Sequence, residues 1–245
     1  MDKSSRTDIA PQEQRAAWNE WNAAYREQAR DVVSNRQAQV IQDWLTARAV
    51  NDAELIDVGC GAGWMCERLL RFGRVTGTDW ADEVVERARQ RLPEVNFIVG
   101  DFFALSIPSG RFDVAVSLEV LSHVADQPAF IARIADLLRP GGLLMLATQN
   151  RPVLERWTAI GGPTPGQLRR WVDAPKLRSL LGASFDIIEL TSIHPVGDQG
   201  LLRLVNSRKI NRALALVCGQ QRIDRVKERC LLGHTLMVLA RKRAR

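Results

Sequence analysis

The chain opens on two stretches whose apolar residues recur at helical spacing. Residues 11–33 place Trp18, Trp21 and Tyr25 on one face, and residues 36–48 do the same with Val40, Ile41, Trp44 and Leu45. Both are predicted helices. The period then changes. ELIDVG (54–59) is a short, nearly continuous apolar run ending in glycine, the pattern of a strand buried on both faces. From there strands and helices alternate: helix 62–71, strand RVTGTD (74–79), helix 81–91, strand NFIVGD (96–101), strand FDVAVSL (112–118), helix 127–138 and strand GLLMLATQ (142–149). The helix at 127–138 is predicted to stop in Arg139-Pro140-Gly141-Gly142, because proline cannot continue a helix and glycine takes the conformation that ends one. This order predicts an α/β fold, with a doubly wound, mostly parallel sheet covered by helices on both faces.

After Asn150 the period weakens, and residues 151–171 are rich in Gly, Pro and Trp. A short helix is predicted at 174–181, a strand at SFDIIELTSI (184–193), a basic helical stretch at 198–229 and a final strand at HTLMVLARK (234–242). A strand, a helical excursion and a last strand predict an antiparallel pair at one sheet edge with an insertion between its members. Residues 1–245 read as a single domain: N-terminal helices over 1–50, a core over 51–150, and a third segment over 151–245 that holds the insertion.

Composition adds bounds. The 245 residues are 46 % hydrophobic and 25 % charged, ordinary globular usage, and a chain of this length buries enough surface to need no staple. Cys60, Cys66, Cys218 and Cys230 are scattered without a CxxC pair or zinc spacing, so reduced thiols in a cytoplasmic protein and no metal site are expected. The start, MDKSSRTDIAPQEQR, has no apolar core, and no apolar run approaches the ~18 residues of a membrane span; neither a signal peptide nor a span is expected. The net charge of +6 is uneven. Residues 203–245 hold twelve Lys and Arg against Asp224 and Glu228, a net of +10, which leaves −4 for the rest. Such a region can attract nucleic acid, anionic lipid or an acidic small molecule, or can simply be a solvated helix face.

The strongest local signal is Asp57-Val58-Gly59-Cys60-Gly61-Ala62-Gly63, placed between a predicted strand and a predicted helix. Glycine lets backbone approach a ligand closely and take positive φ. A dinucleotide fingerprint needs a third glycine at the position of Trp64, where an indole would obstruct helix–strand packing; a nicotinamide cofactor is therefore disfavoured. No Lys-Ser/Thr pair follows, so this is no P-loop. Asp79 ends the second strand, where a carboxylate can accept both hydroxyls of a ribose. Gly100-Asp101-Phe102 ends the third, where Asp101 can take an adenine amine and Phe102 can stack on the base.

With these residues in order the chain resembles the class I S-adenosylmethionine (SAM)-dependent methyltransferases, above all the ubiquinone-pathway and natural-product enzymes. The matching segments are LIDVGCGAG (55–63), VTGTDWADEVVERAR (75–89), VNFIVGDF (95–102), FDVAVSLEVLSHV (112–124) and LRPGGLLMLAT (138–148). The resemblance implies a seven-stranded sheet whose last strand is antiparallel. It implies that Asp57, Gly59, Cys60, Gly61 and Gly63 line the methionine part of SAM, that Asp79 and Trp80 serve the ribose, Gly100, Asp101 and Phe102 the adenine, and Ser117 and Leu118 the cofactor's other side. It also implies that Trp18, Trp21 and Tyr25 cover the cofactor; a plain core-facing stripe is the alternative.

Methyl transfer from a sulfonium needs orientation and water exclusion, and a base only when the acceptor must lose a proton. His123 is the first candidate, with a structural role at a helix start as its alternative; His194 is the second, and a turn residue otherwise. Related enzymes often read E-V-L-E-H-V where this chain reads Glu119-Val120-Leu121-Ser122-His123-Val124. In some of them that second glutamate and the histidine bind a divalent ion, and Ser122 here removes the carboxylate. Gln149, Asn150, Trp157, Trp171, Arg203, Arg208 and Lys209 are candidate acceptor contacts by position. A small-molecule acceptor methylated at O, N or C is the first reading, in a monomer or homodimer. RNA or protein methylation through the basic third, and a non-catalytic SAM-binding sensor, are the others.

Overall fold

A computed structural model describes residues 11–21, 32–158, 167–195, 199, 203, 205–207, 211–212 and 219–244. In chain order the elements are α1 (Pro11–Trp21), α2 (Val32–Ala47), β1 (Ala53–Val58), α3 (Trp64–Leu69), β2 (Gly73–Asp79), α4 (Asp82–Arg91), β3 (Asn96–Val99), β4 (Phe112–Leu118), α5 (Gln127–Leu137), β5 (Leu138–Gln149), α6 (Arg151–Trp157), α7 (Ala174–Leu181), β6 (Phe185–Pro195), α8 (Gln220–Arg229) and β7 (Gly233–Lys242). Single 3₁₀ turns follow α3 and β4, at Leu70–Phe72 and Leu121–His123.

The seven strands form one sheet in the order β3-β2-β1-β4-β5-β7-β6. β1 pairs in parallel with β2 on one side and β4 on the other, so the winding reverses between β1 and β4. β7 is antiparallel to both β5 and β6. Alternation along the strands divides the core. Val114, Val116, Met145, Ala147, Met237 and Leu239 face Ile41, Trp44, Leu45, Met65 and Leu69 of α2 and α3. Ile56, Val58, Leu144, Leu146, Leu236 and Val238 face Phe130, Ile131, Ile134, Leu177 and Leu181 of α5 and α7. Each Val, Leu, Ile, Phe or Met side chain among them contributes about 1.5–3 kcal/mol through burial.

Caps and cross-links fix the helix ends. The Asp126 carboxylate accepts from Ala129 N at the start of α5, and Asp173 from Lys176 N at the start of α7, each at 2.9 Å. α2 is tied across the β6 side by Trp44 Nε1 donating to Glu189 at 3.1 Å and by a two-pronged Arg36–Glu228 pair at 2.8 and 3.2 Å. Part of the basic C-terminal charge is therefore structural: Lys242 Nζ donates to the Leu138 carbonyl, and Arg243 pairs with Asp186. Among the described residues no helix is long and apolar enough to cross a membrane.

The seven strands, the antiparallel placement of the last and the helix at 174–181 match expectation. Other boundaries differ. Helix α1 is described as far as Trp21, and residues 22–31, Tyr25 among them, lie outside the described residues; α2 begins earlier than expected, at Val32. Arg139–Gly142 does not separate helix from strand. Leu138 is already extended and paired with Phe112, and the ladder resumes at Val114–Leu143 after a register shift, so the four residues form an irregularity inside β5. The Gly/Pro-rich stretch after Asn150 contains α6, whose side-chain period is too short to read. Of the expected helix at 198–229, α8 and the isolated helical residues Arg203, Val205, Asn211 and Arg212 are described; Arg208 and Lys209 lie outside the described residues.

Gly233 opens β7 where two backbones touch: a Cβ there would lie 2.3 Å from the Ile193 carbonyl oxygen, an atom no side-chain rotation can move. Gly233→Ala is expected to cost about 3 kcal/mol or more. Thermal unfolding should show a midpoint lowered by roughly 6–12 °C, and an unchanged midpoint would contradict the close approach.

Candidate active site

The loop after β1 is held from below by the end of β2. Gly59 N and Cys60 N both donate to the Thr78 carbonyl, at 2.8 and 3.0 Å. The Asp79 carboxylate accepts from Gly61 N at 2.7 Å through one oxygen and from Ala81 N at 2.9 Å through the other. Gly59, Gly61 and Gly63 have φ of 78°, 48° and 72°, values that side-chain-bearing residues rarely take. A Cβ on Gly59 would meet Val120 Cγ2 at 2.2 Å, so Val120 seals the loop from the β4 side. A carboxylate offers about four acceptor sites, so Asp79 retains capacity for ribose hydroxyls beyond these amides. Gly100 N donates to the Asp79 carbonyl at 3.0 Å, which brings the third strand end beside the second. An open left-handed glycine loop beside a carboxylate acceptor suits a nucleoside with a cationic tail.

Beneath the loop lies a small polar core. Asp57 is buried and takes a hydrogen bond from the Cys66 thiol at 3.3 Å. Burial pushes its carboxyl up to about 7; the Cys66 hydrogen bond pulls it partly back and the charge of Asp79 raises it again. The Cys66 thiol also pulls Cys60 down, but burial and the two carboxylates outweigh it and set Cys60 at about 11. Both thiols are therefore protonated packing groups.

On the β4 side His123 closes a 3₁₀ turn. Its Nδ1 lies 2.7 Å from the Leu168 carbonyl, which can only accept, so Nδ1 carries the proton and Nε2 presents a lone pair. Burial lowers the imidazole to about 4, the Leu168 carbonyl opposing and Arg169 adding to the fall. The Leu168 carbonyl belongs to a strap tied to the same loop: Arg170 N donates to the Ser122 carbonyl at 2.7 Å, and Gln127 Nε2 reaches the carbonyls of Leu121 and Arg170. Trp18 of α1 stands edge-on to His123 at 4.7 Å between ring centroids and 5.6 Å from Trp21, and it packs on Ala62, Ala81 and Val84. One indole thus spans the glycine loop and the histidine. Asp82 latches α1 in place through Arg15 and through Asn19 Nδ2 at 3.0 Å.

The other expected residues fall in several places. Trp80 is half-buried beside Asp79. Asp101 is exposed and caps its own turn, accepting from Phe103 N at 3.0 Å, while Phe102 packs edge-to-face on Phe130 at 5.3 Å. Ser117 is buried with its hydroxyl on the Val58 carbonyl at 3.1 Å, and Leu118 is half-buried against the α2–α3 side of the core. Asn150 spends both amide protons on the carbonyls of Leu231 and Gly233, at 2.9 and 2.8 Å, joining α6 to β7. His194 has φ 56° and lies 6.4 Å from His234, on the far side of β7 from β5. Trp171 lies under the Arg169 guanidinium at 4.7 Å, Arg203 is exposed, and the Trp157 side chain lies outside the described residues. Among the described residues no group of three His, Cys, Asp or Glu side chains could hold a metal. The residues that sequence reasoning missed are Leu168, which acts through its carbonyl, and Gln37, Glu119 and Thr235, which meet only in the fold.

Residues 56–146 match the methyltransferase domain family. The chain is 33 % identical over 178 residues to a ubiquinone biosynthesis O-methyltransferase of Mesorhizobium japonicum, covering 64 % of this chain and 70 % of that protein. It is 31 % identical over 189 residues to the protein of that name in Methylocella silvestris, covering 71 % and 74 %. Its fold resembles the 1,6-didemethyltoxoflavin N1-methyltransferase of Burkholderia thailandensis, solved with S-adenosylhomocysteine (SAH), with a TM-score of 0.61 at 22 % identity over 96 % of this chain and 92 % of that one. The chain belongs to the class I SAM-dependent methyltransferases.

The folded-state value of Asp57 lies above that of an unfolded chain, so its contribution to stability is complete below about pH 4 and is lost as pH rises through 7. Keeping the ionised carboxylate buried costs about 4 kcal/mol at pH 8. Asp57→Asn is therefore expected to gain roughly 2–4 kcal/mol more over the parent at pH 8 than at pH 5, read by denaturant unfolding of the cofactor-free protein. An equal difference at both pH values would count against a buried ionising carboxylate.

Proposed function

We propose that this enzyme methylates a hydroxyl oxygen of a small acceptor, with His123 Nε2 receiving the proton. Residues 1–50 cover the site, 51–150 bind the cofactor and 151–245 form the acceptor side, in a cytoplasmic monomer or homodimer. Bound SAM supplies a methyl group already made electrophilic by its sulfonium charge, which leaves the chain to orient the acceptor, exclude water and take one proton. Asp79 and the three glycines hold the nucleoside and its tail, with Asp101 and Phe102 beside the adenine. Trp18 shuts water out above the loop.

The observation that carries the choice of oxygen is the state of His123. Its Nδ1 proton is committed to Leu168, so Nε2 is a fixed acceptor. A base at about 4 is too weak to take a proton from a free ammonium of ordinary value near 10, a mismatch of about six powers of ten. It suffices for a hydroxyl whose acidity climbs as the new O–C bond forms. The relatives' names point to oxygen as well. The basic third supports nucleic-acid binding less, because Lys227, Lys242 and Arg243 already have partners within the fold.

His123→Ala is expected to lower kcat by roughly 10²–10⁴ while SAH affinity stays within twofold. The parent enzyme's kcat should stay flat from pH 8 to pH 5.5, where an ordinary imidazole base would have lost about tenfold. A break near pH 6.5, or full activity in the alanine variant, would remove His123 from the reaction.

A further inference from the structure

The last turn of α8 is pinned to the carboxyl edge of the sheet. Leu232 N donates to the Lys227 carbonyl and Leu231 N to the Glu228 carbonyl, each at 3.1 Å. The Leu231 carbonyl takes an amide proton of Asn150 at 2.9 Å, where β5 passes into α6. Gly233 then opens β7. Lys227 is thereby held near the edge that carries the glycine loop and His123, on its β5–β7 side. The residue is only 7 % exposed. Lysine is almost never so buried unless it is paired with an acid. Its ammonium has three N–H donors, and Nζ donates to Asn206 Oδ1 at 3.2 Å. Among the described residues no acid forms an ion pair with it: Glu228 is taken by the two-pronged pair with Arg36, and Asp224 accepts from Gln220 Nε2 at 2.9 Å. Burial pulls the ammonium below the ordinary lysine range, and the charge of Asp224 offsets this only in part.

Asn206 adds to the shortage of acceptors. An ammonium only donates, so the amide oxygen faces Lys227 and the amide nitrogen faces away. That nitrogen is buried and meets no acceptor among the described residues. Asn211 holds the segment in place, its side chain donating to the Val205 carbonyl at 3.0 Å and its N to the Ser207 carbonyl at 2.9 Å. Two neighbouring side chains thus keep N–H donors in hand, and one of them is charged. A group that only accepts would satisfy both. A carboxylate offers about four acceptor sites, and one negative charge to set against one ammonium. A phosphate monoester carries about −1.5 to −2 at pH 7, more than this pair can balance. A hydroxyl brings no charge at all.

We propose that Lys227 and Asn206 bind a carboxylate carried by the methyl acceptor. The site deepens the methyltransferase reading above and rests on it. N–H donors occupy the lone pairs of a carboxylate held here, so it anchors the acceptor and is not the group that is methylated. The acceptor class is then a hydroxy acid, its hydroxyl left for His123.

Isothermal titration of the SAH-saturated protein tests this with benzoate, benzyl alcohol and benzyl phosphate. Benzoate should bind about tenfold or more tightly than either of the others. Lys227→Met, which keeps the length of the side chain and removes its charge, should erase the preference over benzyl alcohol. Asn206→Leu, which removes no charge, should weaken it several-fold and serves if Lys227→Met fails to fold by circular dichroism. Arg225→Ala removes one charge from an exposed position of the same helix and should leave the preference unchanged. Equal binding of benzoate and benzyl alcohol, a preference left intact by either folded variant, or an equal loss in Arg225→Ala overturns the site. Benzyl phosphate binding as tightly as benzoate overturns the carboxylate. A parent protein that binds no SAH would instead overturn the cofactor reading beneath it.

Discussion

Where β1 ends, the chain must turn without a side chain to support it, and the turn is held by the neighbouring strand. The Thr78 carbonyl takes two amide protons of the glycine loop and the Asp79 carboxylate takes a third. This fixes the left-handed loop before any ligand arrives, and it keeps the Asp79 carboxylate within reach of that loop. The cost is electrostatic. Burial raises Asp79 as well as Asp57, and the two carboxyls lie close enough for Asp79 to raise Asp57 further. A cationic cofactor tail is the natural counterweight to such a pair.

The reversal of winding between β1 and β4 divides the work. Strand ends β1 to β3 carry the glycine loop, Asp79 and Asp101; strand ends β4 and β5 carry Glu119, His123 and Gln149. Trp18 touches both halves, and Asp82 at the start of α4 holds its helix down. Helix α1 is thereby registered to the β1–β3 side of the sheet, while its aromatic edge meets His123 on the β4 side.

Much of this was legible in the sequence because it rests on local pattern. Seven apolar runs gave the strands, and glycine spacing with Trp64 separated this loop from a dinucleotide site. What the sequence hid depends on conformation and on distant partners. Nothing in the residue name Glu119 announces φ 63°, and Gln37 and Thr235 stand 82 and 116 positions away from it. The role of Leu168 belongs to its carbonyl, which any residue would supply. Asn150 read as a polar contact because it ends a strand; its neighbours at Leu231 and Gly233 come from a segment 81 and 83 positions later. Arg139–Gly142 looked like a helix stop because proline and glycine have that meaning, but the same residues also suit a bulged edge of a strand.

β7 follows every other described strand in the chain, yet it lies inside the sheet, flanked by β5 and β6. During synthesis β6 emerges before β7, its only neighbour among the described strands. Until Gly233–Lys242 has left the ribosome, β5 and β6 both carry open edges of unpaired amides and carbonyls. The closing step then threads one strand between two others, with the ladders on its two sides forming together. Such a fold commits late, and its nascent chain is open to self-association in the interval between the release of β6 and that of β7.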